Sequence, residues 1–268
     1  MIAAKPIGPG ASPSQTPIEL PTIPQTFRWQ LVGSSRLPDL TEACKIGVAL
    51  RAAVQRAAER RGMSTLPDAF HHSKDHSHAF WIPEDVDVDG RVDHVMVFAE
   101  SGLPKGLIPV LAEADKLFLG RRGEWQLIPN WMGRRSPGGV FGPAKVWRSM
   151  SAYVPPWWQK RGKADNIRSA FLPVNQLRRE IVERRQSADA DIGLPAPVEI
   201  NVQTMIKRQL RIPAQEFVIA FRDREHKERR PRDSVPVAIE LSFDRPVWGP
   251  LAFGFGAHFG LGVFEPVG

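Results

Sequence analysis

The 268-residue chain has one cysteine, Cys44, one tyrosine, Tyr153, and no long uninterrupted apolar run. With a single cysteine no internal disulfide can form, so a reducing, cytoplasmic setting is the simplest expectation. No stretch approaches the ~18 apolar residues that a membrane-spanning helix needs. Residues 1–25 contain one lysine and no apolar segment of signal-peptide length. Their Pro, Gly and Ser content predicts a flexible, extended lead-in.

Positive charge is abundant. The formal net charge is +7 and the pI is about 9.9. Arginines often occur in pairs, at positions 60–61, 121–122, 134–135, 178–179, 184–185 and 229–230. The planar guanidinium suits bidentate contact with phosphate. This balance indicates either a nucleic-acid-binding surface or a solvated basic surface without a partner.

Hydrophobic periodicity predicts the order strand–helix–strand–strand–helix–strand for the first half. Phe27, Trp29 and Leu31 alternate with more polar neighbours in the first strand, and apolar residues recur every three or four positions in the first helix. The predicted strands cover 26–33, 78–83, 94–101 and 124–131, and the predicted helices cover 38–62 and 106–120. This order is typical of a ferredoxin-like fold with an antiparallel sheet.

A break rich in Gly, Pro and Arg separates the two halves at residues 132–145. The second half is predicted to contain strands over 146–155, 198–204, 216–222 and 235–243, a helix over 173–187 and a glycine-rich tail over 249–266. We therefore expect an α+β protein with two tandem ferredoxin-like (βαββαβ) folds and a C-terminal glycine-rich loop. The expected division is a flexible lead-in over 1–25, a first domain over 26–133 and a second domain over 134–268.

The stretch "HHSKDHSHAF", residues 71–80, holds four of the seven histidines. A strand beginning near His76 would place His76, His78 and Phe80 on one face, as an acid–base pair requires. A polar loop in which one histidine only hydrogen-bonds is the plainer interpretation. A zinc site is a third interpretation. Structural zinc sites, however, draw their ligands from two separated pairs of residues, and the sequence shows no second pair.

The acidic segment "DVDVDG" also has the residues of a possible metal site. Asp85, Asp87, Asp89 and Gly90 match the opening of a calcium-binding loop. The twelfth position of that loop is Met96, which cannot bind calcium. A polar turn between two strands explains the pattern more simply.

Three segments together resemble a known family. The segments "HSHAFWIPEDVDVDGRVDHVMVFAESG", "SAYVPP" and "GPLAFGFGAHFGLGVF" look like the repeat-processing half of the fused CRISPR proteins of type I-U (I-G), in the RAMP superfamily. In those proteins a CRISPR-associated protein five half is joined to a CRISPR-associated protein six half. The resemblance covers roughly 27–266 and leaves no room for the additional N-terminal half. We therefore expect a stand-alone version or the processing half alone.

The resemblance implies an endoribonuclease that cleaves CRISPR repeat RNA without a metal or other cofactor. The implied partners are repeat or guide RNA and other effector-complex subunits, with no membrane. The family's His-x-His-Ala pattern falls on "HSHA", which makes His76 and His78 the catalytic candidates and Lys74 a charge partner. Tyr153 is expected in the core or in base stacking. The candidate RNA contacts are Arg134, Arg135, Arg148, Arg178, Arg179, Gly254, Gly256, His258 and Gly260.

Two other functions remain open on the sequence. One is a guide-RNA-binding subunit of the same superfamily that does not cleave. The other is a metal-binding structural module, which the histidine stretch would have to support.

Overall fold

The computed structural model describes residues 23–33, 35–67, 70, 78–135, 139–157, 169–187, 194–222, 228–229 and 234–268. Within these ranges the α-helices are α1 (Ala43–Arg60), α2 (Ile108–Ala112) and α3 (Pro173–Ser187). The strands are β1 (Thr26–Val32), β2 (Phe80–Glu84), β3 (His94–Phe98), β4 (Lys116–Phe118), β5 (Glu124–Gly133), β6 (Ala144–Ser149), β7 (Glu199–Gln203), β8 (Met205–Lys207), β9 (Arg211–Pro213), β10 (Phe221–Arg222), β11 (Glu228–Arg229), β12 (Ala238–Val247), β13 (Leu251–Ala252) and β14 (Val263–Val267). None of the described helices is long and apolar enough to cross a membrane.

The first unit, β1 to β5 with α1 and α2, is built on a five-stranded antiparallel sheet of order β2-β3-β1-β5-β4. The alternating residues Phe27, Trp29 and Leu31 of β1 are buried in the core. Leu50 and Val54 of α1 are fully buried in the same cluster, as the helical stripe predicted. Without its edge strand β4, the sheet has the strand order of a ferredoxin-like fold.

The second unit, β6 to β14 with α3, repeats this arrangement. Its main sheet has the order β13-β14-β6-β12-β7, so that β6, α3, β7, β12 and β14 take the places of β1, α1, β2, β3 and β5. Leu177 and Ile181 of α3 share a buried cluster with Ile239 and Leu241 of β12. The segment between β13 and β14 stands where the second helix would be. The chain is therefore an α+β protein of two tandem ferredoxin-like folds with a C-terminal glycine-rich loop.

Several elements differ from the sequence-based predictions; the strand predicted over 146–155, for example, ends at Ser149. The helix predicted over 106–120 is wrong for its second half, because α2 ends at Ala112 and Lys116–Phe118 is the edge strand β4. Leu117 is fully buried there, opposite Trp125 of β5. The strand predicted over 216–222 is reduced to Phe221–Arg222. In both cases pairing with the next strand along the chain, β4 with β5 and β10 with β11, sets the bounds of the strand, and local apolar content does not report it.

The expected division at residue 133 stays a prediction. β5 ends at Gly133 and β6 begins at Ala144, so the division would fall in the connection between the two sheets.

Candidate functional site

The glycine-rich loop, Phe253–Gly262, joins the two units. It contains a short 3-10 turn, Ala257–Phe259, flanked by Gly256 at φ 72° and Gly260 at φ 90°. Only glycine adopts this left-handed backbone at little cost. A Cβ on Gly260 would lie 2.4 Å from Cδ of Pro83 in β2, and a Cβ on Gly47 of α1 would lie 2.5 Å from the carbonyl oxygen of Phe259. The backbone of the loop is therefore pressed against α1 and β2 of the first unit.

This contact creates a ring stack of His78, Phe80 and His258. The His258 ring lies 3.5 Å from the His78 ring and 4.1 Å from the Phe80 ring, measured between centroids, and both pairs are close to parallel. Nδ1 of His258 is 3.3 Å from the carbonyl oxygen of Ala79. His78 is buried, with 9% of its surface exposed. The loop of the second unit thus places one imidazole directly on an imidazole of the first.

Three of the four histidines in the stretch lie outside the described residues. Lys74 and His76, like His71 and His72, lie outside the described residues, so the pairing of His76 with His78 stays a prediction. The strand begins at Phe80 and not near His76, which leaves His78 two residues ahead of it.

Within the part of the chain that the structure describes, one group of three or more metal-binding side chains lies close together, namely Asp85, Asp87 and Asp89. Asp85 is already engaged: Oδ1 accepts from the Asp89 amide at 3.1 Å, and Oδ2 accepts from the Gly90 amide at 3.0 Å and from Arg208. Burial raises the pKa of Asp85, although Arg208 and the Gly90 amide act in the opposite direction. These contacts describe a polar turn locked by its own backbone, in agreement with the simpler interpretation of the acidic segment.

The arginine candidates fall into two groups. Three are held by carboxylates: Arg135 Nη2 lies 2.6 Å from Glu100, Arg148 Nε 2.8 Å from Glu265, and Arg179 Nε 2.7 Å from Glu183. Arg134 and Arg178 are exposed, and no ion pair to a described residue is seen for them. Their role in RNA binding stays a prediction, and within the described residues no carboxylate pairs with Arg134 or Arg178.

A buried carboxylate of α3 is a feature that the sequence analysis missed. Glu180 is 9% exposed and accepts hydrogen bonds from the hydroxyl of Tyr153 at 3.0 Å and from the amide of Gly254 at 2.9 Å. The N–H of Gly254, a predicted RNA contact, therefore binds within the protein, and Tyr153 lies in the core. The position of Glu180 three residues after the buried Leu177, and one before Ile181, is the signal that could have revealed it.

Gly254 and the two glycines of the turn have strict steric surroundings. At Gly254, a Cβ would meet the carbonyl oxygen of Val154 at 2.5 Å, and at Gly256 it would meet Cδ1 of Leu261 at 2.9 Å. Packing inside the protein is thus sufficient to require glycine at these positions. Whether they also contact RNA stays a prediction.

Comparison with protein-family models gives no match, and comparison with curated proteins gives none either. Solved structures with a similar fold include a Cas6-related protein from Pyrococcus furiosus, with a TM-score of 0.44 and 11% identity over 91% of this chain and 98% of that chain. A RAMP protein binding different RNA substrates has a TM-score of 0.42 and 12% identity over 92% and 100% of the two chains. A Cas6 product complex has a TM-score of 0.44 and 13% identity over 91% and 100%. The structural neighbours are thus Cas6 and RAMP proteins.

Proposed function

We propose that the chain is a metal-independent endoribonuclease that cleaves CRISPR repeat RNA to produce guide RNA. The single observation that carries this proposal is the ring stack, in which the glycine-rich loop brings His258 onto His78 at the end of the histidine stretch. Two imidazoles from separate units meet there, and the chain continues directly from His78 back to His76 and Lys74. This arrangement supports an acid–base site at the junction of the two units.

The proposed chemistry uses the 2′-hydroxyl of the RNA as nucleophile. This oxygen attacks the adjacent phosphorus, the bond from phosphorus to the 5′-oxygen breaks, and a 2′,3′-cyclic phosphate remains. A base must take the proton of the 2′-hydroxyl, and an acid must protonate the leaving 5′-oxygen. Histidine can perform either step near neutral pH, and Lys74 would supply charge for the phosphorane.

The finer assignment follows from the sequence resemblance. We propose that the chain is the type I-U form of the repeat-processing protein, alone or as half of a fused protein, and that it works with other effector-complex subunits. The three matching segments, which contain β2, β3 and the glycine-rich loop, support this assignment.

One observation favours a second candidate, a guide-RNA-binding subunit that does not cleave. His78 has only 9% of its surface exposed, and a buried imidazole packed against His258 is poorly placed to exchange protons with a substrate. If cleavage does occur, this burial makes His76 the stronger candidate for direct contact with the RNA.

The test is a cleavage assay on a panel of CRISPR repeat RNAs in excess chelator. We expect the His76→Ala variant to cleave roughly 10²- to 10⁴-fold more slowly than the unmodified protein, the usual contribution of one general acid or base, with RNA binding retained. A 2′-deoxy nucleotide at the cut site should abolish the reaction, because the nucleophile is removed. His94→Gln serves as the histidine control, since His94 lies on β3 and pairs with Asp93.

The outcomes separate the candidates. Full-rate cleavage by the His76→Ala/His78→Ala double variant would overturn the catalytic assignment. Tight binding of a repeat by the unmodified protein without any cleavage would support the second candidate. Failure to bind any RNA would overturn both.

A further inference from the structure

Outside the ring stack, Arg179 of α3 packs on the ring of Trp157, a residue that precedes the helix, and the proposed chemistry does not use this pair. The guanidinium carbon of Arg179 lies 4.4 Å from the centre of the Trp157 ring. This distance is well within the range of a cation–π contact. Trp157 is partly buried, and Arg179 keeps 62% of its side-chain surface exposed. The pair is therefore accessible from solvent through Arg179.

Trp157 is held in place by a buried glutamine. Gln176 is 1% exposed, its Oε1 accepts from the Trp157 amide at 2.9 Å, and its Nε2 donates to the carbonyl oxygens of Trp157 at 3.3 Å and Phe171 at 2.8 Å. A buried amide with all three bonds satisfied by backbone groups fixes the chain at Trp157 against α3. The aromatic ring is thus positioned before any ligand arrives.

The Arg179 side chain is also held in place, and a carboxylate pairs with its charge. Its Nε donates to Glu183 one helical turn away at 2.7 Å, while the Trp157 ring supports one face of the guanidinium. Because a carboxylate neutralises it, Arg179 offers a flat surface more than an unpaired charge. The neighbouring Arg178 is exposed, and the helix sequence continues with Arg184 and Arg185.

We propose that Trp157 and Arg179 form a stacking platform for a base of single-stranded RNA, with Arg178 contacting an adjacent phosphate. Unpaired bases stack on aromatic rings and on arginine planes, and every base has a face that can do so. An acidic peptide would bind through charge alone, and it would gain little from a flat guanidinium that is already paired with a carboxylate. This proposal rests on the RNA binding that the proposed function includes, but it concerns a surface separate from the ring stack.

The test measures binding of a 12-nucleotide oligoadenylate, and of the same oligomer with abasic sites, by fluorescence anisotropy at one salt concentration. We expect Trp157→Ala and Arg179→Lys each to weaken oligoadenylate binding roughly 5- to 100-fold, the range for loss of one stacked base. Arg179→Lys keeps the charge and removes the plane. The matched controls are Trp248→Ala, at a tryptophan with 43% exposure, and Arg245→Lys on the exposed part of β12. We expect both controls to bind within about twofold of the unmodified protein, because neither side chain belongs to the pair.

The abasic oligomer tests the stacking step directly. It should bind the unmodified protein more weakly than oligoadenylate does, and Trp157→Ala should cause no further loss with it. If Trp157→Ala weakened binding of the abasic oligomer as much as binding of oligoadenylate, the stacking platform would be overturned. So would an unchanged affinity of Arg179→Lys for oligoadenylate, and this variant decides the matter if Trp157→Ala fails to fold.

The result also distinguishes the platform from the proposed function. Oligoadenylate affinity equal in all variants, together with cleavage or binding of repeat RNA, would remove the platform and leave the proposed function standing. An unmodified protein that binds neither oligoadenylate nor any repeat RNA would overturn both.

Discussion

At the scale of single residues, burial decides which reactive side chains are available. Cys44 is fully buried in α1 and packs in the core of the first unit. Its burial raises the pKa of the thiol to about 12, even though the charge of Lys45 acts to lower it. The thiolate is the reactive form of cysteine, so Cys44 is an inert core residue.

Alkylation gives a direct check on Cys44. We expect iodoacetamide at pH 8 to modify the native protein at least about 1,000-fold more slowly than the protein unfolded in guanidinium, because little thiolate forms and none is reachable. Mass spectrometry should show one adduct per unfolded chain, since the sequence has one cysteine. Comparable rates for native and unfolded protein would show that the helix opens around Cys44.

At the scale of elements, the contact of α1 with the glycine-rich loop sets the geometry of the ring stack. Gly47 lies in the interior of α1, where glycine normally weakens a helix. It is tolerated because the loop backbone at Phe259 occupies the space that a side chain would need. The loop can therefore present His258 to His78 only while this helix position stays without a Cβ.

The Gly47→Ala variant tests this contact, because two effects oppose each other. Helix propensity alone favours alanine by ~1 kcal/mol. A Cβ 2.5 Å from the Phe259 carbonyl oxygen forces the backbone apart, and we expect the net free energy of unfolding to fall by about 1–3 kcal/mol. Urea unfolding measures the difference.

Gly106→Ala is the control for this variant, because a Cβ at Gly106 meets nothing within 4 Å. Its free energy of unfolding should change by less than ~0.5 kcal/mol. A Gly47→Ala protein that is more stable than the unmodified one would show that the loop gives way without cost.

At the scale of the whole molecule, a buried ionic network ties the two units together. Arg208, in the turn between β8 and β9, has 5% of its side-chain surface exposed. It donates to the side chain of Asp85 and to its carbonyl oxygen at 2.8 Å in the first unit, and its Nε donates to Glu265 of β14 at 3.0 Å. Arg148 also donates to Glu265. Arg148, one of the arginines predicted to contact RNA, therefore has a structural role in this network.

Removing Arg208 should leave the buried Asp85 carboxylate without its charged partner, while Glu265 keeps Arg148. We expect Arg208→Met to lower the free energy of unfolding by about 3–5 kcal/mol, the usual cost of breaking a buried ion pair on one side. Arg211→Met, at an exposed position on β9, should have little effect. Denaturant unfolding of both variants provides the comparison.

A compensating variant sharpens this prediction. Adding Asp85→Asn to Arg208→Met removes the uncompensated charge, and part of the lost stability should return. A double variant no more stable than Arg208→Met would mean that packing by the arginine, and not its charge, joins the two units.

Much of the fold could be predicted because its signals are local. The predicted helix over 173–187 matches α3, and β1, β3 and β5 lie within or close to the predicted strands. Apolar residues at period two or period 3.6 define each of these elements within a short window, and their order is sufficient to indicate tandem ferredoxin-like folds. The histidines, the glycine-rich loop and the arginines were also visible as candidates in the sequence.

Only the tertiary structure decided which of the candidate residues contact each other. His258 reaches Ala79 across 179 positions, Arg208 reaches Asp85 across 123, and Glu180 binds the Gly254 amide across 74. Contacts of this kind depend on how two sheets and a loop pack, and no short stretch of sequence encodes a partner so far away. By itself, the sequence determined most of the elements, the basic charge and the place of the histidine stretch along the chain. The packing of the second unit on the first decided that His78 is buried against His258 and that Arg148 and the Gly254 amide bind within the protein.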